Sequence, residues 1–224
     1  MRLRSQKGFT IIELLIATTV FSVVLLIASV GIIAIGRDYY KSLTSTKVQE
    51  TARSVADDIS KSLQFSLADT VSKQLTNLDG TPATVKTRCF GSDRYRYILN
   101  QKVQQVTDPS HPADFHALYR DKRPSETTCD SSGNWTDGTE LLGENMRLLQ
   151  FEVSDSDPFQ VKIRLLYGDD DLISITQCHG SIVDGLCYNP TDEDIATARC
   201  RFNIAGNQFC AASGLETTVT SRVK

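Results

Sequence analysis

Between Glu13 and Arg37 the chain runs for 23 residues, Leu14 to Gly36, without a charged side chain. As a helix rising about 1.5 Å per residue, this run is about 35 Å long, enough for the roughly 30 Å hydrocarbon core of a bilayer. A secretory signal needs an apolar region of only about 7 to 15 residues and a small-residue cleavage site, so the run is too long for one. A buried soluble helix is excluded differently. Phe21, Val23, Val24, Leu25, Leu26, Ile27, Ile32, Ile33 and Ile35 point all ways around a helix and leave no polar side for water. The segment predicts a membrane span. Arg2, Arg4 and Lys7 precede it, which places the amino terminus in the cytoplasm and the bulk of the chain outside.

The whole chain has 224 residues and 24.8 kDa, room for one core and an appendage. Its 24 basic and 27 acidic side chains leave a net charge of -3, so no strong field points to a nucleic-acid partner. Ordinary apolar and charged fractions exclude wholesale disorder.

Glu13 complicates a plain anchor. It sits among Phe9, Thr10, Ile11 and Ile12 on one side and Leu14, Leu15 and Ile16 on the other. A charge deep in a membrane helix costs about 2.5 to 3.5 kcal/mol, relieved in part near the end of a span. Such a residue calls for a partner, unless the apolar helix starts at Leu14 and Glu13 lies among the headgroups.

The string Lys7-Gly8-Phe9-Thr10-Ile11-Ile12-Glu13-Leu14-Leu15-Ile16 resembles the amino terminus of type IV prepilins and of the pseudopilins of type II secretion and competence systems. It combines a short basic leader, a glycine, a phenylalanine, a glutamate five residues into the mature chain, and a long apolar helix. The resemblance implies that a membrane aspartyl peptidase, the prepilin peptidase, cuts after Gly8 and methylates the new amino terminus at Phe9. The cationic amine of Phe9 then comes within reach of Glu13 on a neighbouring helix, and burying the two charges as a pair sets the register of assembly. Major pilins often carry a helix-kinking proline in the apolar segment. This chain has none between residues 9 and 81, with Gly31 and Gly36 in the apolar part instead, which suits a minor pilin better than a bulk subunit.

Beyond Arg37 the pattern turns amphipathic: Val48, Ala52, Val55, Ile59 and Leu63 are spaced 4, 3, 4 and 4 apart. The spacing predicts one helix from about Phe9 to Leu67, with its outer half laid on a soluble core. From there strands are expected. Phe159, Val161, Ile163, Leu165 and Tyr167 alternate with more polar neighbours, the period-two mark of a half-buried strand. Gly168-Asp169-Asp170-Asp171 then breaks the pattern before Leu172 to Gln177, predicting an antiparallel hairpin, with Met146 to Val153 beside it. Weaker signals place strands at Tyr95 to Leu99 and Phe115 to Tyr119, flanking the turn-rich Asp108-Pro109-Ser110-His111-Pro112. Thr191 before Asp192, Glu193 and Asp194 reads as a helix cap, leading into a short helix around Ile195 to Arg199.

All six cysteines, Cys89, Cys129, Cys178, Cys187, Cys200 and Cys210, fall on the outer side, where disulfides form. Closeness in sequence weakly favours pairing them in that order, but 15 pairings are open. Zinc is disfavoured, because there is no Cys-x-x-Cys and the adjacent Cys178 and His179 would diverge from a strand. Asp169, Asp170 and Asp171 form a weak calcium candidate, without the glycine and glutamate of an EF-hand and more simply read as a solvated hairpin tip. The Asn134-Trp135-Thr136 triplet matches a glycan acceptor, a pattern frequent by chance. His111, His116 and His179 mark no triad, and neither a nucleophile elbow nor a phosphate loop is present, so neither an enzyme nor a cofactor is expected.

The expectation is an α+β, type IV pilin-like fold: a long amino-terminal helix packed on an antiparallel sheet, with a disulfide-bearing carboxyl-terminal region. Its parts are a leader at 1–8, a transmembrane and assembly helix at 9–36, an amphipathic helix at 37–67 and an extracytoplasmic globular domain at 68–224. The resemblance implies a minor type IV pilin, which meets membrane lipid, an inner-membrane assembly platform and other pilin subunits; the size of the outer domain and its several cysteines suggest an initiating or tip-located one. It enters the bacterial cytoplasmic membrane as a single pass and ends in an extracellular pilus. The alternatives are a type II secretion or competence pseudopilin, and a monomeric anchored ectodomain serving as adhesin or receptor.

Overall fold

The computed structural model describes residues 9–65, 68–76, 82–105, 115–123, 129, 135, 137–179, 181–183, 186–188 and 190–222. Two compact units are distinguished, one up to Tyr40 and one from Lys41. Helix α1, Ile11–Leu63, contributes to both.

In the first unit the apolar side chains of α1 are exposed, from Ile11 and Ile12 to Ile33 and Ile35. The few hydroxyls among them turn back on the helix. Thr18 donates to the Leu15 carbonyl at 3.0 Å, Thr19 to Ile16 at 2.8 Å, Ser22 to Thr18 at 2.8 Å and Ser29 to Leu25 at 2.8 Å. No hydroxyl donor among these is left to face hydrocarbon without a partner, which is what a lipid environment demands. The helix is long and apolar enough to cross a membrane.

In the second unit the outer half of α1 buries Thr44, Val48, Ala52, Val55, Ala56, Ile59 and Leu63, the stripe legible in the sequence plus Thr44 and Ala56. It packs on two antiparallel sheets. The first has the order β1 (Ala68–Thr76), β2 (Pro82–Phe90), β3 (Asp93–Tyr97), β4 (Leu118–Lys122) and β5 (Thr139–Glu140). The second contains β6 (Met146–Val153), β7 (Phe159–Tyr167) and the last strand, β12 (Ala211–Val219), in the order β12-β7-β6. Two short pairs complete the fold: β8 (Ile173–Ser174) with β11 (Arg199–Cys200), and β9 (Ser181–Val183) with β10 (Leu186–Tyr188). Helix α2, Asp192–Ala196, lies between β10 and β11 in the chain.

The main core joins the α1 stripe to Phe90, Tyr95, Tyr97 and Leu118 of the first sheet and to Leu148, Phe151, Val161, Ile163 and Leu165 of the second. Each sheet also buries part of its other face. Behind the second, Leu149, Leu166, Leu172, Ile195, Ala198 and Cys210 form a separate cluster. A bulge between Leu148 and Gln150 turns Leu149 toward that cluster while Leu148 stays in the main core.

The expected hairpin after β7 does not form. Both edges of β7 are occupied, by β6 and by β12 along its full length. The chain leaves the sheet at Gly168 through a 3-10 turn, Asp170–Leu172, and Ile173 and Ser174 pair with Cys200 and Arg199 instead. Helix α1 ends at Leu63, short of Leu67, and β3 and β4 are offset from their expected spans by two or three residues. Helix α2 begins directly after its Thr191 cap, earlier than the expected Ile195 to Arg199. The turn-rich 108–112 segment lies outside the described residues.

Candidate functional site

The amino-terminal end of α1 is built by four consecutive residues. Thr10 is the cap: its backbone N–H donates to Glu13 Oε2 at 2.9 Å, its hydroxyl donates to the same oxygen at 2.8 Å, and the Glu13 N–H reaches Thr10 Oγ1 at 3.3 Å. Leu14 N–H then makes an intrahelical bond of 3.2 Å to the Thr10 carbonyl. This is a capping box, in which two amides that the helix leaves unpaired are satisfied reciprocally by the threonine and glutamate side chains. Sequence reasoning treated Glu13 as a charge in search of a partner and missed the box, although Thr-x-x-Glu ahead of an apolar run is its signature. Phe9 precedes the helix and is exposed. Gly8 lies outside the described residues.

The chain matches the prokaryotic N-terminal methylation motif over residues 3–29. The match supports a type IV prepilin- or pseudopilin-type protein. The motif marks structural subunits and implies processing by prepilin peptidase and assembly with other pilin subunits. No curated protein and no solved structure matches the chain. The apolar part of α1 fits a single-pass membrane anchor.

The remaining candidate residues are dispersed. The cysteines form three disulfides, Cys89–Cys129, Cys178–Cys187 and Cys200–Cys210. Cys178 is thus not available as a thiolate beside His179. Asp170 pairs with Arg147, and Lys102 lies 3.6 Å from Asp169 and 4.0 Å from Asp170, so cations of the same chain face this acidic turn. Among the described residues no three or more His, Cys, Asp or Glu side chains are grouped to hold a metal. His111, Asn134 and Thr136 lie outside the described residues.

His116 and Trp135 belong instead to a polar layer on the far face of the first sheet. Asp121 takes Arg94 in a two-pronged pair, Nε to Oδ1 at 2.8 Å and Nη2 to Oδ2 at 2.6 Å, and takes Arg96 Nη2 at 2.6 Å. All three are buried. Burial pushes the Arg96 pKa down, and the Asp121 charge works against that shift. The Arg96 guanidinium lies 4.3 Å from the Trp135 ring centre, and the His116 ring stacks parallel to the Trp135 ring with centres 5.6 Å apart. Glu140 accepts the amides of Ala117, Leu118 and Leu142 at 3.0 to 3.1 Å, with His116 Nδ1 3.3 Å away.

A second polar hub is Asp194. Its carboxylate accepts the Thr191 N–H at 2.9 Å, the His179 N–H at 3.1 Å and lies 2.6 Å from His179 Nδ1, while Thr191 Oγ1 caps the Asp194 amide. Burial alone would raise the Asp194 pKa, but these hydrogen bonds outweigh it and hold it at about 2, below the ordinary 3.8. The bond to Asp194, and then its charge, raises His179 above 6.5.

Proposed function

We propose that this protein is a minor type IV pilin, cut after Gly8 by prepilin peptidase, methylated at Phe9, and built into a pilus through the apolar half of α1. The carrying observation is the methylation motif at residues 3–29 together with an apolar helix whose side chains are exposed rather than used in a core of its own chain. An exposed apolar surface of this extent needs another apolar surround, first lipid and then the same helices of neighbouring subunits. The leader stays cytoplasmic, the unit from Lys41 onward is outside, and an inner-membrane platform passes the subunit from membrane to filament. Absence of a proline from residues 9 to 81 and a large disulfide-bonded outer part support a low-copy subunit over a shaft subunit.

In the mature chain Glu13 serves twice. It caps its own helix through Thr10 and offers its remaining oxygen to the methylated amine of Phe9 on an adjoining subunit, a pairing that offsets the burial of both charges.

The test is the intact mass and amino-terminal sequence of the protein purified, without reduction, from its host's membranes. A chain that starts at N-methylated Phe9 and is six hydrogens lighter than the reduced form is expected. A chain that starts at Met1 overturns the reading in favour of an unassembled anchored ectodomain.

A further inference from the structure

Strand β12 has one strand neighbour among the described residues, β7, and no described strand pairs with its other edge. The opposite side of the same sheet is covered: Asn100 N–H donates to the Leu148 carbonyl at 2.8 Å, Val103 N–H to Met146 at 2.9 Å, and Lys102 bridges Arg147. Edge strands of natural proteins are usually blunted by lysine, proline, a bulge or brevity. Ala-Ala-Ser-Gly-Leu-Glu-Thr-Thr-Val has no lysine and no proline, pairs with β7 without a bulge, and is nine residues long.

We propose that the other edge of β12 pairs with β12 of a second copy of this chain, antiparallel and centred on Leu215. Leu215 is the middle residue of Ala211–Val219, so this register uses the whole strand and opposes each residue to its mirror position. Leu215 meets Leu215 of the second copy beside the core it already packs against. Ser213 faces Thr217, a hydroxyl pair, and the only charged residue, Glu216, faces Gly214 rather than another glutamate.

That last juxtaposition selects the occupant. A side chain at Gly214 would meet nothing within 4 Å, and the site is a depression lined by Gln150, Lys162, Arg164 and Glu216. Gly214 lies opposite Arg164 of β7, whose guanidinium donates to the Ala196 and Ala198 carbonyls, so its charge meets no carboxylate among the described residues. With strands about 4.8 Å apart, Glu216 of the second copy reaches across the bare glycine toward Arg164. Lys162 and Glu216 of one strand pair, 3.5 Å apart, extend the row into a ladder of alternating sign. The contact is isologous and closes as a dimer, unlike the head-to-tail contacts that propagate a filament. It stands independently of the pilin reading, since processing at Gly8 does not require it.

The test uses two tagged full-length chains co-expressed in membranes, one Ala212→Cys and one Thr218→Cys, both exposed positions, in a protein whose native cysteines are all paired. In the proposed register these two positions face each other at about 5 Å between Cα atoms, within disulfide reach. The same position in two copies is about 20 Å apart. Mild oxidation is expected to link the mixed pair into a dimer and neither variant alone. Adding Glu216→Arg to both chains is expected to abolish the link. Failure of the mixed pair to link, linkage of Ala212→Cys with itself, or a link unaffected by Glu216→Arg would overturn the proposal. A leader still cut at Gly8 in the same membranes separates that failure from failure of the pilin reading.

Discussion

Arg94 and Asp121, 27 residues apart in the chain, meet face to face on adjacent strands β3 and β4, with both nitrogen–oxygen contacts at or below 2.8 Å and both side chains shielded from water. Arg96 shares the same carboxylate. The far face of the first sheet is therefore closed by a charged cluster stacked on Trp135, where a one-sided sheet would simply meet solvent.

Removing Asp121 should be far worse than its single charge suggests. Asp121→Ala leaves two buried guanidiniums without their counter-charge, a loss of about 3–5 kcal/mol by the usual cost of a broken buried pair. Chemical denaturation should show it as a large fall in midpoint. Asp121→Asn, which keeps hydrogen-bond acceptance, should lose less; equal losses would mean that the charge alone, and not hydrogen-bond acceptance, holds the cluster.

Stability should depend on pH at both ends of the His179–Asp194 contact. Asp194 is held at about 2 against 3.8, so its contribution is complete above 3.8 and fades as pH falls toward 2. The pKa of His179 is raised above 6.5, so its contribution is complete below 6.5 and fades as pH rises through the shifted value. Urea midpoints measured across pH should peak between those limits. His179→Gln should flatten the alkaline limb and shrink the acid limb without removing it, because the Thr191 and His179 amides still bond Asp194.

The three disulfides should not be equal. Cys89–Cys129 spans 40 residues, against 9 for Cys178–Cys187 and 10 for Cys200–Cys210. In the chain-entropy account the long loop contributes about 4 kcal/mol and each short one about 3. Paired Cys→Ala variants compared by thermal unfolding should rank in that order, with the 89/129 pair lowest.

Thr10→Val and Glu13→Ala separate the two roles of Glu13. Both dismantle the capping box. Only Glu13→Ala also removes the carboxylate proposed to meet a neighbouring amine. Both variants should be cut at Gly8, and Glu13→Ala should incorporate into filaments much less than Thr10→Val. Equal incorporation would confine Glu13 to capping.

Much of the architecture is local enough to be legible in order along the chain. The α1 stripe needs only helical spacing, and the burial of Val48, Ala52, Val55, Ile59 and Leu63 follows it residue by residue. The β7 alternation likewise survives, except that Leu166 is buried as well, because a second cluster covers the face its neighbours leave to water. Other features carried no such pattern. In β12, small and polar residues alternate with a single leucine, so nothing announced a strand until β7 offered it an edge. Nothing local marked Arg94 and Arg96 for burial, since the Asp121 and Trp135 that cover them are distant in the chain.

The sequence by itself determined an apolar amino-terminal helix, its processing motif and its continuation as an amphipathic helix, because each rests on side chains within a few turns of one another. Tertiary structure alone decided which strands flank β7, which cysteines join, and which charges are buried. Those outcomes turn on the free energy of contacts between distant segments, where a buried arginine or an unassuming strand is stable only once its partner has closed over it.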